Sequence, residues 1–377
     1  HSLVGEFNKL SVLILSGSPI IGSFDFRARV DFVRVPGVIK LRNGDYTSLK
    51  LHLDIEQTMA LRASIIRHTA DVFDPDIFIV DKEPLGLRGE VGDTLEMLKS
   101  RGTPLILGLR DVMDEPELLV PEWERKNVMP ALKDLYDELW IYGLPQFYDP
   151  LTGVEIPEVI RRKIVYTGYL KHQVPEALSV KSASVPNTPY ILVTAGGGGD
   201  GDVLIDWVLT AYETGMKIPH PALIVLGPFM HTNHQESFLA RIEKLESVSA
   251  MTFSSHIEHL MEKAVGVVAM GGYNTFCEIL SFDKPSIIVP RTKPRLEQYI
   301  RASRAQELGL LSMLNYDNEA DPKTMATALC QLTQQNPPSE IILPGLLDGL
   351  QNINRLVSQY IAKSHRQELS TIDQLIS

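Results

Sequence analysis

The stretch ILVTAGGGGDGDVLIDWVL at 191–209 constrains the fold more than any other part of this chain. An apolar strand ends in four consecutive glycines and opens, through Asp200 and Asp202, into a helix. Gly196, Gly197, Gly198 and Gly199 let the backbone take left-handed conformations and come close to a ligand. The free amides and the dipole of the helix that follows favour an anion at that point. The same pattern also fits an ordinary strand-to-helix turn in which the aspartates serve as N-caps.

A second strand, turn and helix follows in AVGVVAMGGYNTFCEILSFDKPSIIVPRTKPRLEQYIRA at 264–302. Val265 to Ala269 read as a buried strand, Gly271 and Gly272 as its close-approach turn, and Tyr273 to Ser281 as a helix with Asn274 and Thr275 at its start. Thr275 and Glu278 are three apart and share a helix face, so a hydroxyl could meet a phosphate while the carboxylate accepts ribose hydroxyls. Thr275-x-x-Glu278 equally fits a capping box.

The first half alternates short β-rich runs at 10–15, 76–81, 104–108, 138–142 and 163–166 with helical patterns at 56–73, 93–101 and 131–137. Such alternation implies a parallel sheet, whose ligands bind beyond the carboxyl ends of the strands. Asp81 and Lys82 follow one strand, and Arg110 and Asp111 follow the next. Lys82, Arg110 and Asp111 are therefore candidates for an acceptor side of a cleft. A loop network of ion pairs is the competing reading.

The chain's 377 residues are enough for two domains, and its 44% apolar content is that of a globular protein. Thirty-six Lys and Arg against 47 Asp and Glu leave a net charge of -11, which argues against nucleic acid as the main partner. No apolar run reaches the roughly 20 residues of a transmembrane helix, and peripheral membrane contact stays open. Cys277 and Cys330 stand apart, without histidines at ligand spacing. Neither a disulfide framework nor a zinc site is indicated, and a reducing cytoplasm is expected. Asp200-Gly201-Asp202 has the look of a metal-binding Asp-x-Asp, but its place after a glycine loop favours caps. No metal is expected.

The order of glycine loop, PALIVLGP, a strand ending at Phe253, MGGYNTFCE, KPSIIVP and LEQYIRA resembles the nucleotide-sugar half of the glycosyltransferase-B fold. It is most similar to the family of the peptidoglycan N-acetylglucosaminyltransferase (family 28) and to a group of predicted bacterial glycosyltransferases. The resemblance implies an α/β chain of two Rossmann-like domains facing a cleft. The expected domains are 1–175 on the acceptor side, 176–345 for the nucleotide sugar, and a C-terminal segment 346–377 crossing back to the first. The proline- and serine-containing stretch between Tyr169 and Pro189 reads as the linker.

Position by position, the resemblance places Gly196 to Gly199 and the Gly271-Gly272 turn with Asn274 and Thr275 around the donor diphosphate. It places Glu278 on the ribose, and Phe253 and Ser254 at the uracil edge. Glu297 and Gln298 fall where the family touches the sugar hydroxyls. The family usually has Asp-His-Gln or Asn-Gln there, so the departure to Arg295-Leu296-Glu297-Gln298 leaves the sugar open. A solvated helix start is the plainer reading of that pair. The family's opening strand and the Gly-His loop with its proposed base have no counterpart in this sequence. His1 does not match that histidine, and no catalytic residue is assigned.

The implied activity is metal-independent, inverting transfer of a sugar, UDP-linked, to an unknown acceptor, with the nucleotide sugar as co-substrate and no cofactor. Two alternatives remain: a nucleotide-sugar-binding protein or subunit without catalysis, and a non-hydrolysing UDP-sugar epimerase. No glycine fingerprint is followed about twenty residues on by the acidic residue of nicotinamide dehydrogenases.

Overall fold

The computed structural model describes residues 2–376 except 25, 41–45, 50, 175–184 and 198. Two larger parallel sheets, of four and six strands among the described residues, follow one another along the chain. In the first half, β1 (Val12–Ser16) pairs in parallel with β2 (Val30–Arg34), and β3 (Val38–Lys40) forms an antiparallel pair with β4 (Tyr46–Ser48). A four-stranded parallel sheet follows in chain order: β5 (Phe78–Asp81), β6 (Leu105–Arg110), β7 (Glu138–Tyr142) and β8 (Ile164–Tyr166). Five of the six residues of β6 are buried, as expected for a parallel strand covered on both faces.

The helix Ile55–Phe73 starts at a complete capping box, in which Asp54 accepts from the Gln57 amide and the Gln57 side chain accepts from the Asp54 amide. Its buried face carries Met59, Ile66 and Ala70 at helical spacing. Where 131–137 was expected as helix, the structure has Val128–Asp134. Pro130 is tolerated there because it lies in the first turn, where an amide has no intrahelical acceptor. The strands β2 to β4 and the helix Pro116–Arg125 have no counterpart among the expected elements.

In the second half all six strands are parallel: β9 (Ile191–Thr194), β10 (Ala222–Val225), β11 (Val248–Met251), β12 (Gly266–Ala269), β13 (Ser286–Ile288) and β14 (Ser312–Met313). Their order is β11-β10-β9-β12-β13-β14. The chain fills one side of β9 first and then returns to the other, so the strand order reverses between β9 and β12. In an open α/β sheet the crevice beyond the carboxyl ends at that reversal is where ligands bind.

Ile353, Leu356 and Val357 of the C-terminal helix Gly349–Ile376 pack with Ile106 and Trp140 of the first half. The proposed boundary at 175/176 lies outside the described residues. β1 and β5 are not bonded to each other, and a cavity of 1140 Å³ opens along both, closed by the Ile55–Phe73 helix and by Val357, Tyr360 and Ile361. Among the described residues no helix is long and apolar enough to cross a membrane.

Candidate functional site

The two glycine turns lie at the carboxyl ends of β9 and β12, neighbours at the reversal point. All four residues of β9 are buried, and Gly196 leaves it with φ +61°, a left-handed conformation that an L side chain resists. Gly198 lies outside the described residues. The helix Asp202–Glu213 begins after Gly201, where no side chain caps it. The aspartates are thus not N-caps: Asp200 pairs with Arg291, and the Asp202 carboxylate lies 3.6 Å from His234 Nδ1. A side chain at Gly201 would run into Ala195, so the helix rests directly on the strand end.

The second turn is also closely packed. Gly271 has φ +79°, and an added Cβ would come within 2.7 Å of Ile288 Cγ2. Gly272 is the N-cap of the helix Tyr273–Ser281, which has no side-chain cap. The capping box is therefore not formed: Thr275 is already the third helical residue, and Glu278 lies one turn inside. Glu278 is only 7% exposed, and its carboxylate lies 4.0 Å from His172 Nδ1, which is also 4.0 Å from Glu258. Burial, and then the charge of Glu258, push the Glu278 carboxyl up to about 8. Burial also holds His172 below its ordinary value, against the pull of Glu258. Among the described residues these three form the one group with metal-ligand spacing, their ligand atoms within 4.8 Å of one another. The same convergence of acceptors suits a vicinal diol.

Phe253 is 38% exposed just beyond β11, and the Ser254 hydroxyl accepts from the His256 amide. Phe229, beyond β10, is 47% exposed and donates its amide to the Gly197 carbonyl at 2.9 Å. Two exposed aromatic rings thus stand at adjacent strand ends, and of these Phe229 lies against the glycine loop.

Glu297 and Gln298 open the helix Glu297–Glu307, and neither is solvated. The Glu297 side chain is 13% exposed and accepts from Arg291 Nη2 at 2.6 Å, while Gln298 Oε1 accepts from the Arg291 amide at 3.1 Å. Burial raises the Glu297 carboxyl, but Arg291 and Lys82 outweigh it and hold the carboxyl below its usual range.

The ends of the first sheet face this turn. Lys82 is held at φ +66° by its own amide's bond to the Gly108 carbonyl, and burial, Arg295 and Arg110 lower its ammonium. The Arg110 guanidinium lies 5.6 Å from the centroid of the Tyr273 ring, within reach of Asp81 at 3.8 Å. Asp111 departs from the acceptor-side expectation. It is fully buried, and its carboxylate is taken up by Arg301 and the Tyr169 hydroxyl, which leaves no oxygen for an acceptor.

Sequence reasoning missed Arg291, His172 and Glu258. Arg291 follows β13 by the same strand-end rule that singled out Lys82 and Arg110. His172 carried no local signal, because its partners lie in helices far along the chain.

Residues 190–340 match the glycosyltransferase family 28 C-terminal domain. An uncharacterized glycosyltransferase of Methanosarcina acetivorans is 23% identical over 356 residues, covering 87% of this chain and 85% of the relative. Among solved structures, the calicheamicin glycosyltransferase CalG4 aligns at TM-score 0.59 and 15% identity over 96% of this chain and 93% of its own. The UDP-GlcNAc 2-epimerase of Neisseria meningitidis, bound to UDP-GlcNAc, aligns at TM-score 0.57 and 13% identity over 96% and 94%. The chain thus has the glycosyltransferase-B fold over the 96% of its length that aligns, and resembles family 28 glycosyltransferases in its second half.

Proposed function

We propose that this chain transfers a sugar from a nucleoside diphosphate sugar, UDP-linked, to an acceptor that enters from the side of Lys82 and Arg110. The observation that carries this reading is the pair of glycine turns at the reversal of the second sheet, with a nearly buried carboxylate one helical turn beyond the second. Gly196, Gly197 and Gly199 with the helix behind them, and Gly271, Gly272, Asn274 and Thr275 opposite, would hold the diphosphate. Glu278 would hold the ribose. Phe253 and Ser254 would border the base, and Glu297 with Gln298 the sugar.

Breaking the anomeric carbon–oxygen bond puts negative charge on the departing diphosphate. Helix N-termini aimed at it supply fixed dipoles that need no reorganisation as that charge develops. The single displacement this arrangement favours inverts the anomeric centre, with the acceptor hydroxyl approaching from the first-half side. The match of 190–340 to a transferase domain supports transfer, while the alignment with an epimerase bound to UDP-GlcNAc keeps epimerisation as the second reading.

Incubation with UDP-N-acetylglucosamine and UDP-glucose, with products resolved by chromatography, separates the two. Free UDP whose release rises with added acceptor alcohols supports transfer. An altered sugar still attached to UDP, formed without acceptor, supports epimerisation and overturns transfer.

A further inference from the structure

We propose that Arg291 is a displaceable ligand of the donor diphosphate, held ready in the empty protein by Asp200 of the glycine loop and exchanged onto phosphate when the donor binds. The inference rests on the donor-site reading above and adds to it a residue that neither glycine turn contains.

Arg291 lies just past β13, and its guanidinium bridges two elements of the site. One terminal nitrogen donates to Asp200, and the other donates to Glu297 at 2.6 Å. The backbone is pinned as well, its amide donating to Gln298 Oε1 at 3.1 Å. The network is incomplete: Arg291 Nε and Glu297 Oε2 are both buried without a hydrogen-bond partner. A buried donor and a buried acceptor left open in one ion pair are costly, and a ligand carrying both kinds of group would satisfy them as the arginine is exchanged. A diphosphate with an attached sugar has them, as phosphate oxygens accept and sugar hydroxyls donate.

The two carboxylates that hold Arg291 are unequal. The Glu297 side chain is 13% exposed and the Asp200 side chain 46% exposed. Water readily takes the place of the arginine at Asp200, so that exposed ion pair is the weak one. A phosphate offers a guanidinium paired oxygens in the geometry its fork matches, with more charge than one carboxylate. Asp200 also sits between the glycines and the Asp202–Glu213 helix, so whatever replaces it on Arg291 lies in front of that helix N-terminus. The carboxylate thus fixes the guanidinium where the diphosphate arrives, and leaves when it does.

Calorimetric titration of the full chain with uridine and with UDP, for wild type, Arg291→Gln and Asp200→Asn, tests this. Arg291→Gln should lose about tenfold or more in UDP affinity, with uridine affinity unchanged. Asp200→Asn should bind UDP more tightly than wild type, because no anion has to be displaced. Its site is exposed, so this variant reports even if Arg291→Gln folds poorly. Equal losses for uridine and UDP in Arg291→Gln, or UDP affinity unchanged or lowered in Asp200→Asn, overturn the inference while leaving the donor site intact. A folded wild-type chain that binds neither compound overturns the donor reading and the inference with it.

Discussion

Arg301 and Asp111, 190 positions apart, meet in a two-pronged pair with Nε–Oδ2 at 2.8 Å and Nη2–Oδ1 at 2.6 Å. Each side chain is 1% exposed. The third prong of the guanidinium, Nη1, donates to the Gly271 carbonyl at 3.0 Å, and Asp111 also accepts from the Tyr169 hydroxyl at 2.9 Å. The end of β6 in the first half is therefore tied to the second glycine turn. Tyr273 adds a bond of its own to the Tyr142 carbonyl at 2.9 Å, and Arg295 pairs with Glu122 at 2.9 Å.

Removing one member of such a pair leaves the other charge buried without compensation. Asp111→Ala should lower the unfolding free energy by about 3–5 kcal/mol. Chemical denaturation checks it, and a loss under about 1 kcal/mol would show that the pair is dispensable.

Gly271 and Gly272 should respond differently to alanine. At Gly271 the conformation is left-handed and the new Cβ meets the buried Ile288 at 2.7 Å, whereas at Gly272 nothing lies within 4 Å. Gly271→Ala should cost about 2 kcal/mol or more and weaken UDP binding through the displaced turn. Gly272→Ala, where only the poorer N-cap propensity of alanine is felt, should cost about 1 kcal/mol or less. Equal effects in thermal unfolding would remove the close approach of the turn from the explanation.

The buried Glu278 gives stability a definite pH dependence. Its carboxyl is raised from 4.5 to about 8 in the folded protein. As pH rises through that window the unfolded chain ionises first, so it binds fewer protons than the native state. The stability contributed by this protonated carboxyl is fully present below about 4.5 and is lost progressively up to about 8. Glu278→Gln should therefore match wild type near pH 4 and exceed it at pH 8.5 by about 1 kcal/mol or more. Parallel denaturation curves at both pH values check this, and a variant no more stable than wild type at pH 8.5 would speak against a buried, unpaired carboxyl.

Much of the fold was legible because its signals are local. Apolar runs such as LILGL and GVVA, bounded by charged or glycine-containing turns, mark buried parallel strands, and β6 and β12 lie there. The short, mixed strands β2 to β4 carry no such run and depend on what they pack against. At the site, the glycine turns could be placed because glycine runs after apolar strands mark strand-to-helix turns, and the structure removes the capping alternatives for Asp200, Asp202 and Glu278. For Asp111 the ion-pair reading holds rather than the acceptor-side one, and the choice could not be made from sequence because burial and its distant partner Arg301 cannot be seen in a local pattern. Arg291 was passed over among neighbouring charges, although its position after a strand was itself a signal.

The most direct measurement is the UDP affinity of wild type and Glu278→Ala by calorimetry at pH 8.5, where the carboxylate is available, with ADP and GDP as controls. Wild type should bind UDP selectively, and the variant should bind it more weakly by about 1.5–3 kcal/mol through loss of a charged acceptor for the ribose hydroxyls. Selective binding by wild type with equal affinity in a folded Glu278→Ala protein would take the ribose away from Glu278. No UDP binding by wild type would contradict the nucleotide-sugar site itself.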